Sequence, residues 1–73
     1  MYSTIKLPNG DLYEGAVVNG RPHGYGVLTS ANGDCYKGEF SNGRKDGYGV
    51  SEERGRSFNV KHENGMLISK TPA

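Results

Sequence analysis

The chain has 73 residues, with nine Lys or Arg against eight Asp or Glu and a formal net charge of +1. This length allows one small domain, and the balanced charge gives no overall attraction to nucleic acid. Only 33% of the residues are hydrophobic, Trp is absent and twelve residues are Gly. A thick apolar core is therefore excluded, and stability must come from aromatic rings packed on an extended sheet.

The cysteine content and the lengths of the apolar segments indicate the cellular compartment of the protein. Cys35 is the only cysteine, so no internal disulfide can form and a reducing environment is favoured. No apolar run approaches the roughly 20 residues that span a bilayer, and Met1 to Leu7 lacks the features of a secretory signal. We therefore expect a cytoplasmic protein, either free or peripheral to a membrane.

Turn signals recur along the whole chain. Asn-Gly dipeptides stand at positions 9–10, 19–20, 32–33, 42–43 and 64–65, and Arg54-Gly55 occupies the one remaining place in the series. Asn-Gly between short alternating segments is a strong hairpin signal, because both residues tolerate positive φ. Six such turns predict an all-β chain of up to seven strands in a single antiparallel meander, with no helix of useful length.

The segments between the turns repeat every 22–23 residues. The five tyrosines and two phenylalanines fall into three columns: Tyr2, Tyr25 and Tyr48; Tyr13, Tyr36 and Phe58; and Phe40, with Val17 and His62 as its equivalents. One hairpin per unit indicates a solenoid-type architecture. We interpret residues 1–73 as one domain with a partial unit 2–9, repeats 10–32 and 33–54, and a degenerate repeat 55–70.

The repeat unit resembles a known family. Its elements in the first unit are Tyr13-Glu14-Gly15, Asn19-Gly20 and His23-Gly24-Tyr25-Gly26. They resemble the MORN (membrane occupation and recognition nexus) repeat, with the pattern Tyr-x-Gly-x-aromatic-x-x-Gly-x-x-His-Gly-x-Gly. The second unit departs from it at Asp46, which replaces His, and the first at Val17, which replaces an aromatic residue. The third lacks its second half after Gly65.

Strand alternation predicts which side chains share a face. Tyr13, Gly15 and Val17 lie on one side of their strand. A four-residue loop from Asn19 to Pro22 would pair Tyr13 with Leu28, Gly15 with Gly26 and Val17 with Gly24. A three-residue loop at residues 31–33 and a two-residue turn at 54–55 keep Tyr36 and Phe58 on that same face. Glycines beside the rings would leave room for them, and we assign this structural role to Gly15, Gly24, Gly26, Gly38, Gly47 and Gly49.

The aromatic residues are the first candidate site. A face rich in aromatic side chains and glycine serves as the core, as a partner-binding surface, or as both. The predicted partner-binding face comprises Tyr13, Tyr36, Phe40, Phe58, Tyr25 and Tyr48.

Basic residues near the turns are the second candidate site. Arg21, Arg44 and Lys45 follow the Asn-Gly turns and would contact a phospholipid headgroup, an activity that the MORN resemblance also suggests. Three charges at about 1 kcal/mol each attract an anionic surface only weakly, so the competing interpretation is a set of solvated turn residues.

Residues able to carry chemistry are sparse. His23 is expected to close a turn through a hydrogen bond, and His62 is remote from it in sequence. Neither has partners at metal-ligand spacing. Cys35 occupies the place of Leu12 and Ser57 and has no base supplied by a motif. We therefore predict no catalytic residue, no metal and no cofactor.

Several functions follow from these observations. The resemblance implies a non-catalytic module that binds another protein, and we rank this first. A phospholipid-targeting module is the alternative, as is a targeting segment of a larger enzyme, since MORN repeats accompany lipid kinases and lysine methyltransferases. Choline-binding hairpin repeats rank last, because they rely on Trp. Unpaired sheet edges and an uncovered aromatic face also predict a homodimer, joined through that face or edge to edge.

Overall fold

A computed structural model describes all 73 residues, and every regular element in it is a β-strand. The strands are β1 (Tyr2–Lys6), β2 (Leu12–Val18), β3 (Arg21–Thr29), β4 (Cys35–Ser41), β5 (Arg44–Glu53), β6 (Arg56–Glu63) and β7 (Met66–Pro72). They form one antiparallel sheet in the order β1-β2-β3-β4-β5-β6-β7. The predicted all-β meander of seven strands is confirmed.

The connections follow the predicted turn chemistry. Two-residue turns join β2 to β3, β4 to β5, β5 to β6 and β6 to β7, and the first residue of each has φ between 50° and 52°. A glycine with φ between 75° and 85° follows in each. Two successive positive φ values define the hairpin turn for which Asn-Gly is suited. At residues 31–33 the predicted three-residue loop is confirmed, since Gly33 N–H donates to Ser30 O at 2.9 Å and Ser30 N–H donates to Asp34 O at 2.7 Å.

The prediction of a four-residue loop from Asn19 to Pro22 is wrong. Tyr13 pairs with Leu28 and Gly15 with Gly26 as expected, but Val17 pairs with Pro22 instead of Gly24. The turn has two residues, and the excess length is taken up by a bulge in which Ala16 alone faces residues 23–25. Pro22 is tolerated in the strand because hydrogen-bonded and non-bonded pairs alternate along an antiparallel ladder.

The same bulge recurs one repeat later. Gly38 pairs with Gly49 and Phe40 with Lys45, so Glu39 alone faces residues 46–48. At both bulges the middle residue of the longer strand is a glycine with φ of 107°, Gly24 in the first and Gly47 in the second. An L-residue other than glycine rarely adopts this conformation. The bulges are therefore encoded by glycine and belong to the repeat.

The core lies on one side of the sheet. Its buried hydrophobic members are Tyr13, Tyr36, Phe40 and Val60, with Ile5, Val17, Leu28 and Phe58 packed against them. This surface is the aromatic-glycine face. Tyr13 is 0% exposed, so the expectation of an uncovered aromatic face is wrong: the side chains of this one sheet cover each other without a second layer.

Candidate functional site

Glycine and tyrosine fit together on the aromatic-glycine face. The Tyr13 ring lies against Gly26 so closely that a Cβ atom added there would overlap it. A Cβ added at Gly15 would lie 2.7 Å from the Tyr25 carbonyl oxygen and 2.9 Å from the Tyr13 hydroxyl. No real Cβ contact is that short, so both positions require glycine.

The second repeat copies this arrangement. A Cβ added at either Gly38 or Gly49 would lie 2.7 Å from atoms of Tyr36. Phe40 stands between the two tyrosines, with its ring centroid 4.9 Å from that of Tyr13 and 5.4 Å from that of Tyr36, both edge-on. Edge-to-face packing of aromatic rings adds stability beyond the area buried. The predicted grouping of Tyr13, Tyr36 and Phe40 is thus a packed core.

The hydroxyls of the two core tyrosines are bound within the chain. Tyr13 Oη donates to the carbonyl of Ala16 at 2.6 Å, and Tyr36 Oη donates to that of Glu39 at 3.3 Å. Both acceptors are the single residues at the bulges. Burial raises the pKa of Tyr13 and of Tyr36, because the ionised phenolate loses hydration in the core. These hydroxyls therefore hold the bulge in place.

The third unit completes the core differently. Val60 pairs with Gly49 and occupies the repeat position of Gly15 and Gly38, and its side chain is buried. His62 takes the repeat position of Phe40, with its ring centroid 5.3 Å from that of Tyr36 and nearly perpendicular to it. Its Nδ1 is buried without a hydrogen-bond partner. Burial, with a smaller effect of Lys45, lowers the pKa of His62.

The six residues predicted to form one partner-binding face lie on two faces. Tyr13, Tyr36, Phe40 and Phe58 share the aromatic-glycine face. Tyr25 and Tyr48 point to the opposite side, because each precedes a glycine of that face by one residue and neighbouring side chains alternate. Together with Tyr2 they form the tyrosine row, in which Tyr2 is 74%, Tyr25 54% and Tyr48 68% exposed. The sequence analysis correctly groups these three tyrosines in one repeat column, but it is wrong to place Tyr25 and Tyr48 on the same face as Tyr13.

The tyrosine row is regularly spaced. Its members stand on alternate strands β1, β3 and β5, which places their backbones about 10 Å apart in an antiparallel sheet. An open groove of about 550 Å³ extends along this face from Tyr25 on β3, past Tyr48 on β5, to β7. This tyrosine groove is lined further by Lys37, Gly38, Gly49, Val50, Asn59, Val60, Lys61, Ser69 and Thr71. Equivalent tyrosines of two successive repeats thus line one groove.

The basic residues predicted to contact phospholipid do not point in one direction. Arg21 and Arg44 are exposed beside neighbouring turns, which are joined by a hydrogen bond from Gly43 N–H to Pro22 O at 2.9 Å. Lys45 is half-buried on the aromatic-glycine face, with Nζ 4.8 Å from the centroid of the Tyr36 ring. Two of the three charges are therefore free for an external ligand.

His23 and Cys35, the residues considered for catalysis or metal binding, contact the backbone or neighbouring side chains of the sheet. His23 Nδ1 accepts a hydrogen bond from the backbone N–H of Asn42 at 3.4 Å, which confirms the predicted turn-closing role. Cys35 is half-buried, with Sγ 3.9 Å from the Thr29 hydroxyl. The structure contains no cluster of three His, Cys, Asp or Glu side chains able to hold a metal ion, and no helix long and apolar enough to cross a membrane.

Comparison with known proteins agrees with this geometry. A search of curated protein sequences finds no match. The family model described as MORN repeat matches residues 13–35 and 36–52, more than half of the chain. MORN repeats are generally modules that interact with proteins or membranes, and they are typically non-catalytic. Since the matched segments coincide with the two complete hairpins and their tyrosine–glycine packing, the chain belongs to the MORN-repeat family.

Proposed function

We propose that this chain is a non-catalytic scaffold module that binds another protein through the face carrying the tyrosine row. The observation behind the proposal is the contrast within the tyrosines. Tyr13 and Tyr36 are buried in the core, whereas Tyr2, Tyr25 and Tyr48 are each more than half exposed.

Exposed tyrosines are well suited to a protein interface. A Tyr side chain can bury about 150–250 Å² of surface, and its hydroxyl supplies a polar contact at the same time. Tyr is enriched in protein interfaces and among the residues that dominate their binding energy. Three tyrosines at one repeat position, spaced evenly along a sheet, therefore suit a partner that lies across several strands.

Photo-crosslinking tests this proposal in the cells that express the chain. Benzoylphenylalanine replaces Tyr48 in one variant and Arg56, the exposed first residue of β6, in a control. We expect discrete protein adducts, identified by mass spectrometry, from the Tyr48 position and not from Arg56. Absence of protein adducts at Tyr48, with both variants folded, would contradict the proposal.

Phospholipid binding is the second candidate, supported by the two exposed arginines at neighbouring turns. Arg21 and Arg44 provide about 1 kcal/mol each near an anionic surface. Retention on anionic vesicles should therefore be weak and vanish by about 0.3 M salt, where the Debye length is roughly 5–6 Å. A double variant, Arg21→Gln with Arg44→Gln, should abolish this retention. Tight vesicle binding that resists salt would favour the lipid function over the scaffold.

A further inference from the structure

The Asn-Gly dipeptides contain the groups for a reaction within the backbone. The nitrogen of the residue that follows an asparagine can attack the asparagine side-chain amide, and glycine leaves that nitrogen unshielded because it has no side chain. The five asparagines of these dipeptides are all exposed, and they stand at positions 9, 19, 32, 42 and 64. Since the dipeptide and its exposure are the same at every site, only the contacts made in the fold distinguish the five.

Two of the five sites are held within their own loops. The side-chain oxygen of Asn9 accepts a hydrogen bond from Asp11 N–H at 3.1 Å, and the N–H of the following glycine donates to Leu7 O at 3.0 Å. The loop at residues 31–33 repeats both contacts, at 3.1 Å and 2.9 Å. The side-chain amide and the attacking nitrogen are therefore both engaged at these two sites.

The other three sites are closely matched, because each is a two-residue turn at the same end of the sheet and its asparagine has φ between 50° and 52°. Two of these turns are bonded to the preceding hairpin. Gly43 N–H donates to Pro22 O at 2.9 Å, and Gly65 N–H donates to Lys45 O at 2.8 Å. Such a hydrogen bond retains the proton of the attacking nitrogen and fixes the nitrogen in the turn, so both sites are protected.

Gly20, in the remaining turn, differs from both counterparts. Its N–H makes no backbone hydrogen bond, and nothing lies within 4 Å of the place that a Cβ would occupy. The rotation that brings its nitrogen to Cγ of Asn19 therefore breaks no contact between this turn and a neighbouring hairpin.

We propose that Asn19 is a site of spontaneous deamidation in the folded chain, and that the fold protects the other four Asn-Gly dipeptides. The Gly20 nitrogen forms a bond to Cγ of Asn19, the Cγ–Nδ2 bond breaks, and the Gly20 proton and the amide nitrogen leave together as ammonia. Water then opens the resulting succinimide at either carbonyl and yields aspartate or isoaspartate, with nothing oxidised or reduced. The product carries a carboxylate two residues from Arg21, and this charge cancels the formal net charge of +1.

The test compares the whole chain when folded and when unfolded in guanidinium, at one pH and temperature. Peptide mapping by mass spectrometry follows aspartate and isoaspartate at each site with time. The unfolded chain gives the intrinsic rate of each dipeptide, so the ratio of the unfolded to the folded rate measures protection by the fold. We expect protection at Asn19 to be smaller than at Asn42 and Asn64 by about fivefold, the effect of one backbone hydrogen bond.

Matched variants locate the reaction. Asn19→Gln should remove the fast product from the folded chain, because a glutamine side chain would have to close a larger ring. The turn should tolerate this change, since Arg54 has φ of 52° at the equivalent position of another turn. Asn42→Gln makes the same change at a protected turn and should leave the rate at Asn19 unchanged. Circular dichroism of both variants should match the parent.

Three results would overturn the inference. Equal protection at Asn19, Asn42 and Asn64 would show that every site reacts only after global unfolding. Faster formation of product at any other Asn-Gly dipeptide would show that the free N–H of Gly20 does not decide the site. Absence of any product from the folded chain would show that the first turn is protected as well. The proposed scaffold function is independent of all three.

Discussion

Tyr13 and Tyr25 belong to the same repeat and to neighbouring strands, yet they perform opposite tasks. Tyr13 is completely buried against Gly26, and its hydroxyl is bound to the Ala16 carbonyl. Tyr25, the residue immediately before Gly26, is 54% exposed on the other side of the sheet. The comparison shows how a single-layer protein buries one tyrosine and exposes another: alternation along the strand assigns one to each face.

The neighbours of each tyrosine explain why the two faces differ. On the aromatic-glycine face the residues beside the rings are glycines, so a ring can lie flat on the backbone and cover it. On the opposite face the neighbours of these rings carry long side chains: Glu39 pairs with Tyr25, and Lys61 pairs with Tyr48 and places its Nζ 5.1 Å from the centroid of that ring. The same residue type is thus a core element or a surface element according to the size of its neighbours.

The largest expected effect comes from filling the space under a core ring. Gly26→Ala places a methyl group within the Tyr13 ring position, and we expect a loss of about 3 kcal/mol or more in the free energy of unfolding. Gly33→Ala is the matched control, because nothing lies within 4 Å of its added Cβ while its φ is +97°. Its backbone strain should cost only about 1–2 kcal/mol. Urea denaturation measures both, and equal losses would refute the packing argument.

Removing a single tyrosine hydroxyl should reduce stability on the aromatic-glycine face and leave it nearly unchanged on the opposite face, with smaller effects than Gly26→Ala. Tyr13→Phe leaves the Ala16 carbonyl at the bulge without its donor, and we expect it to destabilise the chain by about 1–2 kcal/mol. Tyr48→Phe, on the exposed row, should stay within about 0.5 kcal/mol of the parent. Thermal unfolding followed by circular dichroism decides this, and a comparable loss in the Tyr48 variant would place both hydroxyls in structural roles.

Much of the fold could be predicted because it depends on local chemistry. Asn-Gly and Arg54-Gly55 specify turns through positive φ, and the parity of residues between turns assigns Tyr13, Tyr36 and Phe58 to one face. These are properties of short segments. The repeat itself adds a second constraint, since each unit must satisfy the same parity.

The errors concern places where two local preferences compete. Pro22 lacks an N–H, which favours a loop, whereas the bulge glycine Gly24 absorbs the extra length and leaves Pro22 in a strand. The presence of an equivalent glycine, Gly47, was the available signal. The closure of the aromatic-glycine face could not be predicted, because it depends on how far the sheet curls and on contacts such as Tyr13 with Phe40 from different hairpins.

The third unit should make the stability of the chain depend on pH, whereas the second unit, with Phe40 at the same repeat position, should not. His62 replaces the aromatic residue of the Phe40 column, and burial lowers its pKa from the usual 6.5. Between the folded pKa and 6.5 the unfolded chain binds more protons, so stability is greatest above pH 6.5 and declines as the pH falls below it. His62→Phe should remove this decline and stabilise the chain by about 1 kcal/mol at pH 7, since an unpaired buried nitrogen is lost.

Denaturation of the parent and of His62→Phe across pH 5 to 7 measures the difference. The difference between the two curves cancels contributions that both chains share. Parallel curves would show that His62 is hydrated in the folded chain.

A substitution at a sheet edge should have the smallest effect on stability. The edges also decide how the predicted homodimer could form. The aromatic-glycine face is buried and cannot join two copies, which leaves edge-to-edge pairing. With seven strands the two edges run in the same direction, so antiparallel pairing requires like edges related by a two-fold axis. We expect pairing through β7, where Met66, Leu67 and Ile68 are at least half exposed. Light scattering should report a dimer that Ile68→Lys converts to a folded monomer; a monomeric parent would refute this.

The most direct test of the two-faced account is the accessibility of the individual tyrosines. Photochemically induced nuclear polarisation with a flavin dye reports accessible tyrosine rings, and the absence of Trp simplifies the spectrum. We expect polarised signals from Tyr2, Tyr25 and Tyr48 and none from Tyr13 and Tyr36, because only the first three rings are exposed. Polarised signals from Tyr13 or Tyr36 in the folded chain, or silence from Tyr25 and Tyr48 in the monomer, would contradict it.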